Sequence, residues 1–287
     1  MVESAVIVPP APRPRSPRRE RASGTTIGLR TIALAYVTLL VLVPVVVLAY
    51  RALQPGIGTF FDALNEPSAQ HAFTVTFVVA GISLVIDTVF GIAVAILLVR
   101  YRFPGRRLLS AIIDLPVAVS PIVVGLALVL VYSPTGWFGP FEESNGIAVI
   151  NAKPGMVLAT VFVSLPLVAR AIIPVLEQVG TDQDQAAASL GANAVTRFRR
   201  ITLPTIRIAL AYGMVLALAR CIGEYGAVLV ISGNIEGLTQ TVPLKIGDDF
   251  QQFGRDQGYA LAFVLVLIAF AAILLGALIR RRQRRTT

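Results

Sequence analysis

A single cysteine, Cys221, excludes an internal disulfide, and a single histidine, His71, leaves nothing around which a metal cluster could gather. Charge is scarce too. Only 14% of the 287 residues are Asp, Glu, Lys or Arg, against about 25% in an ordinary soluble domain. The phosphate-cradling pattern G-x-x-x-x-G-K-[ST] is absent, so ATP hydrolysis in the P-loop manner is not expected of this chain. No nucleophile–base pair or ligand set stands out, so catalytic residues, bound metal and cofactor are all expected to be none.

Apolar residues are abundant instead: 55% of the chain, gathered in long runs. A formal charge of +9 could point to nucleic acid, but the basic residues sit at the ends of the apolar runs, where they set membrane topology. The opening residues, with "PPAPRPRSPRRERASGTT", are too rich in proline and arginine to bury a core. Residues 1–28 are expected to form a disordered cytoplasmic arm. The next run, from Leu29 to Tyr50, lacks a small-x-small cleavage site and reads as an uncleaved first span.

Apolar runs occur at about 30–50, 73–99, 110–132, 154–176, 208–232 and 258–279, each near or above the roughly 17–25 residues that cross the hydrocarbon. The expected fold is all-α, a polytopic membrane domain over 29–279 with about six transmembrane helices and a basic tail at 280–287. Pro116, Pro121, Pro166 and Pro174 fall inside these runs, where neighbouring helices can re-satisfy freed carbonyls. Arginine crowds alternate connections: the N-terminal arm, residues 100–107, residues 197–207 and the tail after 279. The positive-inside rule then puts both termini in the cytoplasm.

The longest cytoplasmic connection, 177–207, reads as two short helices. Thr181 and Asp182 open the first, which runs through Asp184, Gln185, Ala186, Ala187 and Leu190, and Gly191 ends it. The second starts at Ala194, with Val195, Phe198 and Ile201 on one face, and Leu203-Pro204 is expected to stop it before the fifth span. A lipid-facing amphipathic pair would have the same pattern.

The residues Ala186, Ala187, Gly191, Phe198, Ile201, Leu203 and Pro204 resemble the E-A-A…G…I-x-L-P signature of ATP-binding-cassette importer permeases with the type I, MetI-like fold. The signature's glutamate is here Gln185, preceded by Asp184, so an ion pair to a partner would fall to Asp184. The resemblance implies that the first short helix is a coupling helix seated in a cytoplasmic ATPase. "DLPVAVSPIVVGLAL", "PGMVLATVFVSLPLVAR" and "ARCIGEYGAVLVISGNIEGLTQTVPL" are further similar to the sulfate/thiosulfate permease family, CysW-type. Molybdate and tungstate permeases share the G-E-[FY]-G-A piece and stand as the alternative. What the family implies is a heterodimer with a CysT-type permease, two copies of an ATPase that binds the ATP, and an extracytoplasmic sulfate-binding protein.

Four of the ionisable residues within the apolar runs need explanation: Asp87, Arg170, Arg220 and Glu224. Each costs at least about 2.5–3.5 kcal/mol at mid-membrane on insertion scales, so each should face protein or water. Arg220 and Glu224, four apart, can pair on one helix face, as a structural clamp or as part of a translocation path. Arg170 could pair with Asp87, or Asp87 could instead be protonated. Gly223 and Gly226 allow close packing or a kink, and the loop "SGNIEGLTQTVPL" lies outside, where a binding protein could dock. The same buried charges would suit a proton-coupled secondary transporter, a reading opposed by the alanine–glycine loop and the lack of inverted repeats.

Overall fold

In hydrocarbon a backbone must satisfy its own hydrogen bonds, and an apolar run does so by coiling into a helix. A computed structural model describes residues 24–252 and 255–286, and regular structure among them is helical throughout. The chain divides into two units, Met1–Val46 and Val47–Thr287. The first holds most of α1 (Gly24–Leu53); all packing described below belongs to the second. Residues 1–23, most of the expected disordered arm, lie outside the described residues, and helix begins at Gly24, inside the segment expected to be irregular.

The second unit continues through α2 (Ile57–Asn65), α3 (Pro67–Arg100), α4 (Arg106–Ala118), α5 (Pro121–Tyr132), α6 (Gly139–Asn145) and α7 (Lys153–Val179). It goes on to α8 (Asp182–Ser189), α9 (Ala194–Arg197), a π turn (Phe198–Thr202), α10 (Leu203–Ile222), α11 (Gly226–Ser232), α12 (Val242–Gln251) and α13 (Arg255–Thr286). Among the described residues five helical stretches can cross a membrane by length and composition, and α4 with α5 makes a sixth if the pair is one span.

That pair is bent by 112°, so the third apolar run is not the straight crossing its sequence suggests. The cause is local. Pro121 disfavours an α conformation at the residue before it, and Ser120 is extended (φ −60°, ψ 133°). Pro116, by contrast, stays inside α4. The fifth run is interrupted as well: α10 ends at Ile222 and the helix resumes at Gly226.

Two sets of contacts fix the ends of the bundle. At one end Arg100, the last residue of α3, reaches Asp184, just beyond α7. At the other, the Asn151 amide donates to the Ile231 carbonyl at 2.8 Å, joining the start of α7 to the end of α11. There too the Val242 amide donates to Thr76 Oγ1 at 2.9 Å, tying α12 to the first half of α3. α4 therefore starts at the first end and α5 delivers the chain to the second, so the bent pair makes one net crossing.

The core is built around α7. Gly91 of α3 and Gly213 of α10 both close on it: a Cβ at Gly91 would lie 2.8 Å from Val168 Cβ, and one at Gly213 would lie 2.9 Å from Ala171 Cβ. Glycine here is a packing requirement, letting three helices share one contact level. Val168, Ile172 and Leu176 are buried in the resulting cluster with Ile206 and Leu98. The expected basic tail is not a separate element, since α13 continues as helix to Thr286.

Candidate functional site

The elbow between α7 and α10 is the first candidate. Asp182 and Asp184 lie in the first turn of α8, where the helix dipole favours negative charge. Gln185 donates its side-chain amide to Thr181 Oγ1 at 3.1 Å. At the other end the Ala192 amide bonds the Ala187 carbonyl and the Gly191 amide bonds the Ala188 carbonyl, both at 3.0 Å. This pair is a Schellman closure. It needs a left-handed residue, and Gly191 has φ +85°. Asn193 then caps α9, its side chain accepting from the Thr196 amide at 2.8 Å.

Pro204 does not stop the second helix as its sequence suggests. α9, the π turn and α10 form one continuous stretch, Ala194–Ile222. The Leu203 amide reaches back to the Phe198 carbonyl, five residues away. That widened turn absorbs the missing proline donor, and Thr205 donates its hydroxyl to the Ile201 carbonyl at 2.7 Å.

Asp184 is not free for a partner. Arg100 holds its Oδ1 at 3.1 Å and Arg197 its Oδ2 at 3.3 Å, with Asp184 17% exposed. The carboxylate thus latches α8 to α3 and to α9. Ala187 and Phe198 are half-buried, while Gln185, Ala186 and Leu190 face outward, Leu190 at 89% exposure.

The second candidate is the set of charges within the bundle. Arg220 Nη1 lies 2.7 Å from Glu224 Oε2, and Glu224 is buried. The other carboxylate oxygen accepts from the Ala227 amide at 2.8 Å, so Glu224 both pairs with α10 and caps α11 across the Gly223–Tyr225 break. Arg220 remains 37% exposed.

Arg170 does not meet Asp87. It forms a bidentate pair with Asp114 of α4, through Nε to Oδ1 at 2.7 Å and through Nη2 to Oδ2, and Nη2 also reaches Ser110 Oγ at 3.2 Å. The reason lies in the faces of α7: the Val168 side chain meets Gly91 of α3, and Arg170, two residues on, stands on the opposite side. Asp87 is fully buried and takes a 2.5 Å hydrogen bond from Ser164. The Cys221 thiol donates to the same Ser164 Oγ at 3.4 Å, so these residues join α3, α7 and α10. Asp114, Ser164 and Arg100 were missed by sequence reasoning. Asp114 carried a signal, a carboxylate within an apolar run.

Side chains of Arg170 and Asp114 are half-exposed, 44% and 46%. Charge of that exposure is not stable against hydrocarbon, so Asp114, Arg170 and Arg220 turn toward protein or water. Among the described residues no group of three or more His, Cys, Asp or Glu is placed to hold a metal ion.

A bundle of this kind, with an interrupted span, inward charges and a projecting helical elbow, is a polytopic membrane transport component. A chain of the solved bacterial ABC transporter that imports the acidic polysaccharide alginate has the same fold, with a TM-score of 0.72 at 18% identity over 92% of this chain and 96% of that one. The chain belongs to the family described as binding-protein-dependent transport system inner membrane component, whose model matches residues 87–285. It is 43% identical over 267 residues to the sulfate transport system permease protein CysW of Synechococcus elongatus, covering 93% of each. It is 39% identical to the CysW of Escherichia coli (strain K12), covering 89% of this chain and 87% of the relative. To the sulfate transport system permease protein CysT of Salmonella typhimurium it is 37% identical, over 88% of this chain and 90% of that one.

Proposed function

We propose that this chain is a sulfate-translocating permease subunit of an ATP-driven importer, with thiosulfate a second substrate. The observation that carries the reading is the 43% identity to a sulfate permease over 93% of both chains. The path runs past Asp114, Arg170 and Arg220. There the guanidiniums attract a dianion and their carboxylate partners keep the hold weak enough for release. Asp87, fully buried against Ser164, is structural.

Energy enters through α8. A cytoplasmic ATPase, in two copies, grips its outward residues Gln185, Ala186 and Leu190, while Asp184 transmits the movement inward to α3 and α9. Leu203 and Pro204 continue the elbow into α10 without a joint that could absorb the motion. The partners are completed by a CysT-type permease and an extracytoplasmic sulfate-binding protein. The arginine-rich end of the bundle, with Arg100, Arg106, Arg107, Arg199 and Arg200, faces the cytoplasm, and with it both termini.

The test is subunit co-purification after mild solubilisation, followed by uptake in ATP-supplied vesicles. An ATPase and a second permease should co-purify, and radiolabelled sulfate should accumulate. Molybdate uptake without sulfate uptake would replace the substrate assignment. Uptake that survives ATP depletion and collapses with the proton gradient would remove the ATPase from the mechanism.

A further inference from the structure

Between the ends of α3 and α7 and the start of α4 lies an open cleft of about 330 Å³, backed by Leu98, Val99 and Ile173. Its polar lining is Arg106, Arg107 and Arg170 with Ser110 and Glu177. The three guanidiniums are not equivalent. Arg170 is fixed in place by Asp114 and Ser110. The side chains of Arg106 and Arg107 have no hydrogen-bond or ion-pair partner among the described residues, and neither has Glu177.

Two unpaired guanidiniums beside a third that is held rigid form a strong recognition unit for a tetrahedral oxyanion. Each planar fork can take two oxygens of such a group at once. The first turn of α4 adds to this. Gly105 has a left-handed φ of +89°, no side chain caps the thirteen-residue helix that follows, and the Arg106 amide bonds the Phe103 carbonyl at 3.4 Å, so the next amides, of Arg107 and Leu108, have no capping side chain. Glu177 opposes an anion, and Asp114 offsets the charge of Arg170. The site is therefore built for modest, exchangeable occupancy.

We propose that this cleft binds a tetrahedral oxyanion group, separate from the Arg220–Glu224 pair. That chemistry has two sources in a membrane protein: a free dianion such as sulfate, or the phosphate of an anionic phospholipid whose chains lie against the apolar back wall. The site shares Arg170 with the proposed path, but it does not depend on coupling of α8 to an ATPase, because none of its residues lies between α7 and α10.

Residue-resolved arginine labelling tests it. The full chain, with whatever subunits co-purify, is placed in nanodiscs and treated with phenylglyoxal, and modification of each arginine is followed by peptide mass spectrometry. In phosphatidylcholine discs, sulfate should slow labelling of Arg106 and Arg107 several-fold relative to chloride at equal ionic strength. Arg199 and Arg200, exposed on the elbow, should react at an unchanged rate. Protection in phosphatidylglycerol discs without added sulfate assigns the occupant as lipid phosphate; protection by sulfate alone assigns a free anion. Labelling of Arg106 and Arg107 that neither sulfate nor phosphatidylglycerol slows overturns the proposal. So does slowing that is equal at all four arginines, which is simple screening of charge.

Discussion

Arg100, the last residue of α3, and Asp184, in the first turn of α8, meet at 3.1 Å with both side chains largely buried. Arg197 takes the other carboxylate oxygen at 3.3 Å. The elbow is therefore not a loose tether between two spans but a part latched to a third. On the proposed function, this latch carries displacement of α8 into α3. Asp184→Asn keeps the size and loses the charge. The ATPase should still co-purify and turn over, while sulfate taken up per ATP hydrolysed falls several-fold. Unchanged stoichiometry in proteoliposomes would remove the latch from the coupling route, and loss of ATPase binding would instead make Asp184 a docking residue.

The glycine pair around Val168 makes a prediction about stability alone. A Cβ at Gly91 meets Val168 at 2.8 Å, and one at Gly213 meets Ala171 at 2.9 Å, separations that real side chains do not tolerate without backbone movement. Gly91→Val and Gly213→Val should each destabilise the bundle by about 1–3 kcal/mol, the usual range for overpacking. Gly223→Ala is the control, because its Cβ would find nothing nearer than the Ala219 carbonyl at 3.5 Å. Thermal unfolding in detergent, read by intrinsic fluorescence, checks all three. Equal melting of the variants and the parent would show that the helices are not in contact at this level.

The contrast between these two sites shows what the sequence makes legible. Apolar runs of some twenty residues report spans directly, because the bilayer imposes a length. The signature around Gly191 was equally readable, since a turn with positive φ selects glycine locally. Neither the Arg100–Asp184 latch nor the Arg170–Asp114 pair could be read in that way. Both join residues more than fifty positions apart, and which carboxylate meets Arg170 depends on how α4 leans on α7. The possible Arg170–Asp87 pair failed for that reason. The bend at Ser120-Pro121 lay between the two cases: the proline was visible, but whether it kinks or breaks a span is decided by what packs beside it.

Asp249 predicts a pH dependence at the end of the bundle away from the elbow. It lies on α12, and burial pushes its carboxyl above the ordinary value, against the pull of Lys245 at 3.5 Å and with Glu66 and Asp248 adding to the rise. A raised carboxyl favours the folded state at low pH, and that contribution is lost as pH climbs through the folded-state value. Stability should therefore decline as pH rises from the ordinary carboxyl value of 3.8 toward the raised one, and Asp249→Asn should flatten the decline. Melting curves across that range decide it. A variant whose pH profile overlays the parent would show that the carboxyl does not titrate with folding.

Gly191 separates backbone conformation from packing. Its φ is +85°, yet a Cβ placed there would meet nothing within 4 Å. Space is therefore not the constraint, and any cost comes from the left-handed conformation, about 1–2 kcal/mol for an ordinary residue. Asparagine visits that region readily and valine does not. Gly191→Asn should preserve the Schellman closure and sulfate uptake, whereas Gly191→Val should open it, freeing the amides of Gly191 and Ala192 from the Ala188 and Ala187 carbonyls. Hydrogen exchange at those two amides reads the closure directly, and uptake in vesicles reads its consequence. Fast exchange in the valine variant with undiminished uptake would mean that the elbow need not be rigid to do its work. Slow exchange in both variants would mean that the turn survives the strain, and a loss of uptake would then have to come from the side chain's encounter with a partner.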